Sequence, residues 1–249
     1  MEIKKDIKMA DVIHMNYLTL QILDRFGIKL GFGDKSIATV CKENNIELCF
    51  FLEVLNFFQS KTYLSKYNAD TFPVKQAINY LRNSHKYFLD IKVIEIENMI
   101  NDMNIRCELN KDNIMLLDNF FREYRLELEA HIKREEDLVY PYILKVSQAY
   151  KSRTISSELY TQIEKYSIID YAHEHGNIEE KLFDLKNIII KYLPPVKHSI
   201  LCHKILIELF NLEKDLNDHT LIEEKLVVPN IAEMELFLKD LYNSKQLLK

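Results

Sequence analysis

Hydrophobic residues recur every three or four positions along most of the chain, which is the spacing of one face of an α-helix. The segment 48–58 is an example, with an apolar face made of Leu48, Phe51, Leu52, Leu55 and Phe58. From residue 74 onward the same pattern predicts four long helices and then a shorter one, at about 74–103, 111–147, 157–192, 198–227 and 230–246.

The connections between the long helices are short and contain helix-ending residues, at 110–113, at 152–157 and at Pro194-Pro195. Connections of this length make neighbouring helices run antiparallel, so the sequence predicts an up-down four-helix bundle. Pro141 and Pro229 are expected near the C-terminal end of a helix, where a kink or a stop is tolerated.

Residues 1–60 predict a small helical N-terminal domain with three short helices. The first covers about 10–24, the second is capped by Asp34 and the third is capped by Asn45. Gly31 and Gly33 suit a loop with positive φ. The polar, aperiodic segment 61–73 predicts a linker, and 74–249 is then the bundle.

Composition supports an all-α fold class, because the 249 residues include only 4 glycines, 5 prolines and no tryptophan. The formal net charge is −5 and the pI is about 5.9, with no Lys/Arg block, which argues against nucleic acid or an anionic membrane as a partner.

The cysteines and the apolar stretches indicate a cytoplasmic protein. Four scattered cysteines with no C-x-x-C pair fit free thiols in a reducing compartment better than disulfides or a thiolate zinc site. The N-terminus lacks the apolar segment of a signal peptide. The most apolar stretch, 49–58, is interrupted by Glu53 and is too short to cross a bilayer.

One motif, H-x-x-x-E-E-x-L-V-x-P, occurs twice, at 131–141 and at 219–229. Residues four apart lie on one face of a helix, so His131 with Glu135, and His219 with Glu223, can reach a common point. A single pair of this kind is also common on a solvated surface. Two copies with the same L-V-x-P tail favour a metal site.

The other two long helices supply one inward histidine each. His85 and His175 have apolar neighbours at helical spacing, whereas His173 is rotated by about 200° from His175 and is expected to face outward. The spacings repeat: His85 to His131 is 46 residues and His175 to His219 is 44.

These observations predict a metal site of four histidines and two glutamates, namely His85, His131, Glu135, His175, His219 and Glu223. Such a set suits two iron ions bridged by Glu135 and Glu223, each with an open position. Iron or manganese is favoured over structural zinc. Glu136 and Glu224 point about 100° away from the bridging glutamates and are not expected to bind the metal.

These residues resemble those of the hemerythrin-like di-iron proteins, and specifically the repair-of-iron-centres family. The segment 218–229 is similar to the family's motif that begins with Asp-His and ends with a proline. Glu174-His175 is similar to the Glu-His motif of its third helix, and 26–41 is similar to its N-terminal signature. The family has two adjacent cysteines where Leu30 and Gly31 stand here, so the resemblance does not extend to thiol chemistry in that domain. Cys41 is interpreted as a small apolar helix residue.

The resemblance implies defence against nitrosative or oxidative stress, by donating iron to damaged iron–sulfur clusters, by binding or reducing nitric oxide, or by both. Whether the protein is a di-iron nitric oxide reductase or a non-catalytic iron donor is left open. Its expected partners are O₂, nitric oxide or peroxide, and iron–sulfur proteins, and a homodimer is compatible with the sequence. An alternative is a sensor of O₂, nitric oxide or redox state that signals through its N-terminal domain, and a third is a metal-free structural bundle.

Overall fold

The computed structural model describes residues 2–60, 62–106, 111–173, 178–193 and 199–247. Regular structure in these ranges is helical, apart from one isolated β-bridge between Lys8 and Ser36. The predicted all-α fold class is therefore confirmed. Within the same ranges, no helix combines the length and the apolar character needed to cross a membrane.

The described part of the chain contains thirteen α-helices and four π-helical segments. The α-helices are α1 Met9–Met15, α2 Thr19–Arg25, α3 Ile37–Glu43, α4 Leu48–Gln59, α5 Val74–Tyr87, α6 Val93–Arg106, α7 Lys111–Arg134, α8 Tyr140–Ser152, α9 Ser157–Lys165, α10 Ile168–His173, α11 Ile178–Asn187, α12 Ser199–Ile222 and α13 Val228–Leu247. The π-helical segments are π1 Phe88–Lys92, π2 Glu135–Val139, π3 Ile188–Tyr192 and π4 Glu223–Val227.

The chain forms two compact units, each built from separate stretches of sequence. The first unit comprises Met1–Ser84, Tyr140–His173 and Thr220–Lys249, and the second comprises His85–Val139 and Glu174–His219. The boundaries predicted from the sequence, at residues 60 and 73, stay predictions.

The second unit has one hydrophobic core, to which α6, α7, α11 and α12 each contribute a face. Ile96 and Ile100 come from α6, Tyr124 and Leu128 from α7, and Leu209 from α12, all of them buried. These positions follow the three-and-four spacing of the sequence. Hydrophobic burial on this scale is the main force that holds such helices together.

The N-terminal helices of the first unit pack through aromatic rings. Phe26 lies 5.0 Å from the ring of Phe51 and 4.9 Å from that of Tyr80, measured between centroids. Asn83 on α5 donates to the carbonyl of Arg25 at the end of α2, at 2.8 Å. Helices α2, α4 and α5 are therefore joined by both apolar and polar contacts.

Several helix boundaries differ from those predicted. The predicted helix at 10–24 is divided at Asn16, whose side chain accepts from the amide of Leu18 at 3.1 Å and caps the next turn. Ser36 rather than Asp34 caps α3, and Glu47 rather than Asn45 caps α4. The prediction of positive φ at Gly31 and Gly33 is confirmed.

The predicted helix at 157–192 is also interrupted, because Tyr166 has an extended backbone between α9 and α10. Ser167 and Asp170 explain the restart. The Asp170 carboxylate accepts from the Ser167 amide at 2.8 Å, and the Asp170 amide donates to the Ser167 hydroxyl at 3.4 Å. This reciprocal pattern is a capping box, which the sequence S-x-x-D at 167–170 encodes.

The N-terminal segment is fastened to α4 by Asn56. This buried side chain accepts from the amide of Ile3 at 2.7 Å and donates to its carbonyl at 3.1 Å. We expect Asn56→Ala to lower the free energy of unfolding by about 1–3 kcal/mol, since both backbone groups of Ile3 would lose their partner. Urea denaturation checks this. Asn44→Ala, which removes a bond within one exposed helix end, should cost less, and equal losses would contradict the assignment.

The cysteines provide a second test of the fold. Burial raises the pKa of the Cys41 thiol to about 12, whereas Cys49 is exposed on α4. At pH 8 we expect iodoacetamide to alkylate Cys49 at least about a hundredfold faster than Cys41, because the thiolate is the reactive form and Cys41 is also inaccessible. Peptide mapping by mass spectrometry measures both rates. The difference should vanish in denaturant; if it is absent from the native protein, Cys41 is not a core residue.

Candidate metal centre

Glu135 is the first residue of π2, and His131 lies one helical turn before it on α7. The Glu135 side chain is buried, with only 6% of it exposed, and its Oε1 lies 3.1 Å from His131 Nε2. The i,i+4 spacing thus brings imidazole and carboxylate together as the sequence predicted.

His85 and His219 come from two other helices, and His85 lies beside the other oxygen of the same carboxylate. His85 Nε2 lies 3.0 Å from Glu135 Oε2 and 3.3 Å from His219 Nε2. Both histidines are buried, and their ring centroids are 4.9 Å apart. Phe88, the first residue of π1, packs edge-on against His219 at 5.6 Å and contributes an apolar wall.

Glu136 determines which nitrogen of His85 faces this cluster. Its Oε1 lies 2.9 Å from His85 Nδ1, and a carboxylate only accepts hydrogen bonds. Nδ1 therefore carries the proton, and Nε2, which lies next to Glu135, is the nitrogen that would coordinate a metal ion. A carboxylate on the far nitrogen is the usual means by which a protein orients a metal-binding imidazole.

The donor atoms fit a metal ion. A ring nitrogen from each of His85 and His219 and an oxygen of Glu135 all lie within 4.8 Å of one another. The lone pairs of several buried donor atoms that point at one place repel one another, and the arrangement is stable only when a cation lies between them. Ligands about 2.1 Å from one ion are about 3 Å apart when their bonds lie at right angles. Nitrogen and carboxylate donors without thiolate suit iron, manganese or zinc.

The prolines of the two motifs lie near the start of a helix, not near the C-terminal end of one as predicted. Pro141 lies inside α8, which continues to Ser152, and Pro229 lies inside α13, which continues to Leu247. A proline in an α-helix clashes with the carbonyl four residues earlier and removes one hydrogen bond. In each motif a π-helical segment ends within two residues of the proline, and its wider turn accommodates the ring. π-bulges of this kind are frequent at functional sites.

The separate helix predicted at 230–246 is likewise incorrect, since α12, π4 and α13 follow one another without a break from Ser199 to Leu247. The shared E-E-x-L-V letters of the two motifs coincide with π2 and π4. This π-helical register was not predicted. The sequence indicates the π-helical segment only through one spacing, that from the first glutamate to the proline, which is the same in both motifs.

Four of the six predicted ligands, His85, His131, Glu135 and His219, lie together in the second unit. Glu223 belongs to the first unit, where it is buried and its Oε1 accepts from the hydroxyl of Tyr140 at 3.0 Å. His175 lies outside the described residues. The contact between Glu136 and His85 was missed, although the doubled glutamate of the motif was visible in the sequence.

Comparison with known proteins finds a distant relative. No protein-family model matches the chain. The chain is 22% identical, over 234 residues, to the protein named Iron-sulfur cluster repair protein ScdA from two strains of Staphylococcus epidermidis. The similarity covers 92% of this chain and 99% of each relative. It therefore extends over nearly the whole length of both proteins.

The role of Glu136 leads to a prediction with a matched control. We expect Glu136→Ala to weaken metal binding by about 10- to 100-fold without changing the number of ions, because His85 would lose the group that orients it. Anaerobic Fe(II) titration against a chelating dye measures the affinity. Glu224→Ala changes the equivalent residue of the second motif, which is exposed, and should leave the affinity unchanged. Equal effects of the two substitutions would contradict the role of Glu136.

Proposed function

We propose that this chain is a hemerythrin-like, non-haem di-iron protein that repairs damaged iron–sulfur clusters in the cytoplasm. The iron ligands in this proposal are the six residues of the sequence prediction, namely His85, His131, Glu135, His175, His219 and Glu223. Cys41, Cys49 and Cys202 are thiols that form no disulfide, which is compatible with a reducing compartment. The name of the Staphylococcus relatives, which refers to cluster repair, supports the choice of function.

The observation that carries the proposal is the position of the Glu135 carboxylate. Its Oε2 faces His85 and its Oε1 faces His131, so the two oxygens are directed at different imidazoles. A carboxylate that serves one ion would direct its oxygens at one set of donors. Two sets of donors on either side of one carboxylate are the arrangement expected of a bridge between two ions.

The proposed scaffold is the up-down four-helix bundle. Four helices, α6, α7, α11 and α12, already share one core in the second unit. Di-iron sites in bundles are built from side chains that project inward from facing helices. The shared core supports this arrangement, because the donors at 85, 131, 135 and 219 each lie within three residues of a side chain that belongs to it.

Unequal burial of the histidines favours iron donation as the mode of repair. The side chain of His131 is 21% exposed, whereas that of His85 is 4% exposed. An ion held on the His131 side would be nearer to solvent and to an acceptor protein. Iron is then the cargo of the reaction, and the side with His85 and His219 retains its ion longer.

Metal analysis tests the site. We expect purified protein reconstituted with Fe(II) to contain about two irons per chain and to lose one of them faster to a chelator, because the ligands on one side of Glu135 are more exposed. His131→Ala should remove the fast phase and leave the slow one. His203→Ala, on the same helix as His219 but exposed, is the control. One iron per chain in the wild type would refute the bridging role of Glu135.

The biochemical assay separates repair from the alternatives. Iron-loaded protein is incubated with an apo iron–sulfur enzyme, sulfide and a thiol, and recovery of the enzyme's activity is measured. Recovery that depends on His131 supports donation. Consumption of nitric oxide under anaerobic reducing conditions would instead assign a reductase, and reversible binding of O₂ or nitric oxide without either activity would assign a sensor.

A further inference from the structure

The first unit contains a cavity of about 520 Å³ beside α4, whose wall includes none of the predicted metal ligands. Its walls come from the N-terminal residues 2–6, from α4 and from the segment 63–71. The volume lies within the range of small-molecule sites, and the wall is mainly apolar with a few polar groups, as such sites usually are.

Glu53 is the buried charge of this wall. It lies on α4 with 4% of its surface exposed. Its Oε1 accepts from the hydroxyl of Tyr63 at 2.9 Å and from the amide of Lys66 at 3.3 Å. Its Oε2 is buried and has no hydrogen-bond partner. The carboxylate is thus held in one orientation while half of its accepting capacity is unused.

The wall also contains Lys4, Lys5 and Lys66, but none of these lysines forms an ion pair with Glu53. Lys66 forms its ion pair with Glu2 instead, through side chains that are 68% and 47% exposed. The hydroxyl of the other tyrosine in the wall, Tyr67, donates to Glu47 at 2.7 Å. No cation forms an ion pair with Glu53 among the described residues, and a buried carboxylate without one is strongly destabilising.

We propose that the cavity binds a small molecule with a protonated amine on an apolar chain. The ammonium group would pair with the Glu53 carboxylate and donate to the lone pairs of the Tyr63 hydroxyl, whose proton is already given to Glu53. The apolar chain would lie against Ile3, Leu52 and the tyrosine rings. A neutral alcohol leaves the carboxylate without a counter-charge, and an anionic group is repelled by it, so Glu53 favours a cationic group beside it over either.

Hexylamine serves as the probe, with 1-hexanol and hexanoate as its neutral and anionic counterparts, all titrated into the full-length protein by calorimetry at pH 7. Hexylamine should bind at least tenfold more tightly than either counterpart. Glu53→Gln should abolish this preference, whereas Glu43→Gln, which changes an exposed carboxylate paired with Lys35, should preserve it. Equal binding of hexylamine and hexanol to the wild type would overturn the proposal.

Cys49 provides a second readout in the unaltered fold, because its exposed thiol also lies in the cavity wall. Bound hexylamine should slow alkylation of Cys49 by iodoacetamide at least threefold, as followed on the Cys49 peptide. Wild-type protein treated with N-ethylmaleimide should no longer bind hexylamine, whereas Cys49→Ala treated in the same way should bind it. Unchanged binding after modification of Cys49 would overturn the proposed location even if Glu53→Gln does not fold.

Discussion

The placement of one buried carboxylate between two imidazoles is the constraint on which the second unit depends. Glu135 is 5% exposed, and its oxygens lie 3.0 and 3.1 Å from nitrogens of His85 and His131. Such a group is costly in an apolar interior unless a cation balances it. The hydrophobic faces of α6, α7, α11 and α12 enclose it most stably when that charge is balanced, so the proposed metal ion would also stabilise the fold of this unit.

The π-helical segments connect this constraint to the course of the chain. Two of them begin at the first glutamate of a repeated motif, and each is followed by a proline that a regular α-helix would not tolerate. The wider turn keeps the helix continuous, so that residues on both sides of it belong to one long element. A sharp kink at Pro141 would have ended the helix that carries His131 and Glu135.

Tyrosine hydroxyls hold the buried carboxylates of the first unit. Tyr63 donates to Glu53 and Tyr140 to Glu223, and Tyr142 donates to Glu235. Each hydroxyl supplies one hydrogen bond but no charge, which orients a carboxylate without neutralising it. Burial accordingly raises the pKa of Glu235 despite its bond to Tyr142. In each of these three pairs the tyrosine thus fixes the position of the carboxylate and leaves its charge to be balanced by other groups.

The sequence by itself determined the helical fold class, most of the helices and the types of donor atom. It did so because apolar spacing reports which face of a helix is buried, and because i,i+4 geometry is local, as for His131 and Glu135. The helix interruptions at Asn16 and Ser167 also have a local cause in the sequence, namely a side-chain hydrogen bond to a nearby amide. They were not predicted, because the apolar periodicity continues through both positions. Only the tertiary structure decided that Glu136 meets Nδ1 of His85 and that the two oxygens of Glu135 face different imidazoles. The two contacts with His85 join residues about 50 positions apart, and periodicity within one helix contains no information about the orientation of another.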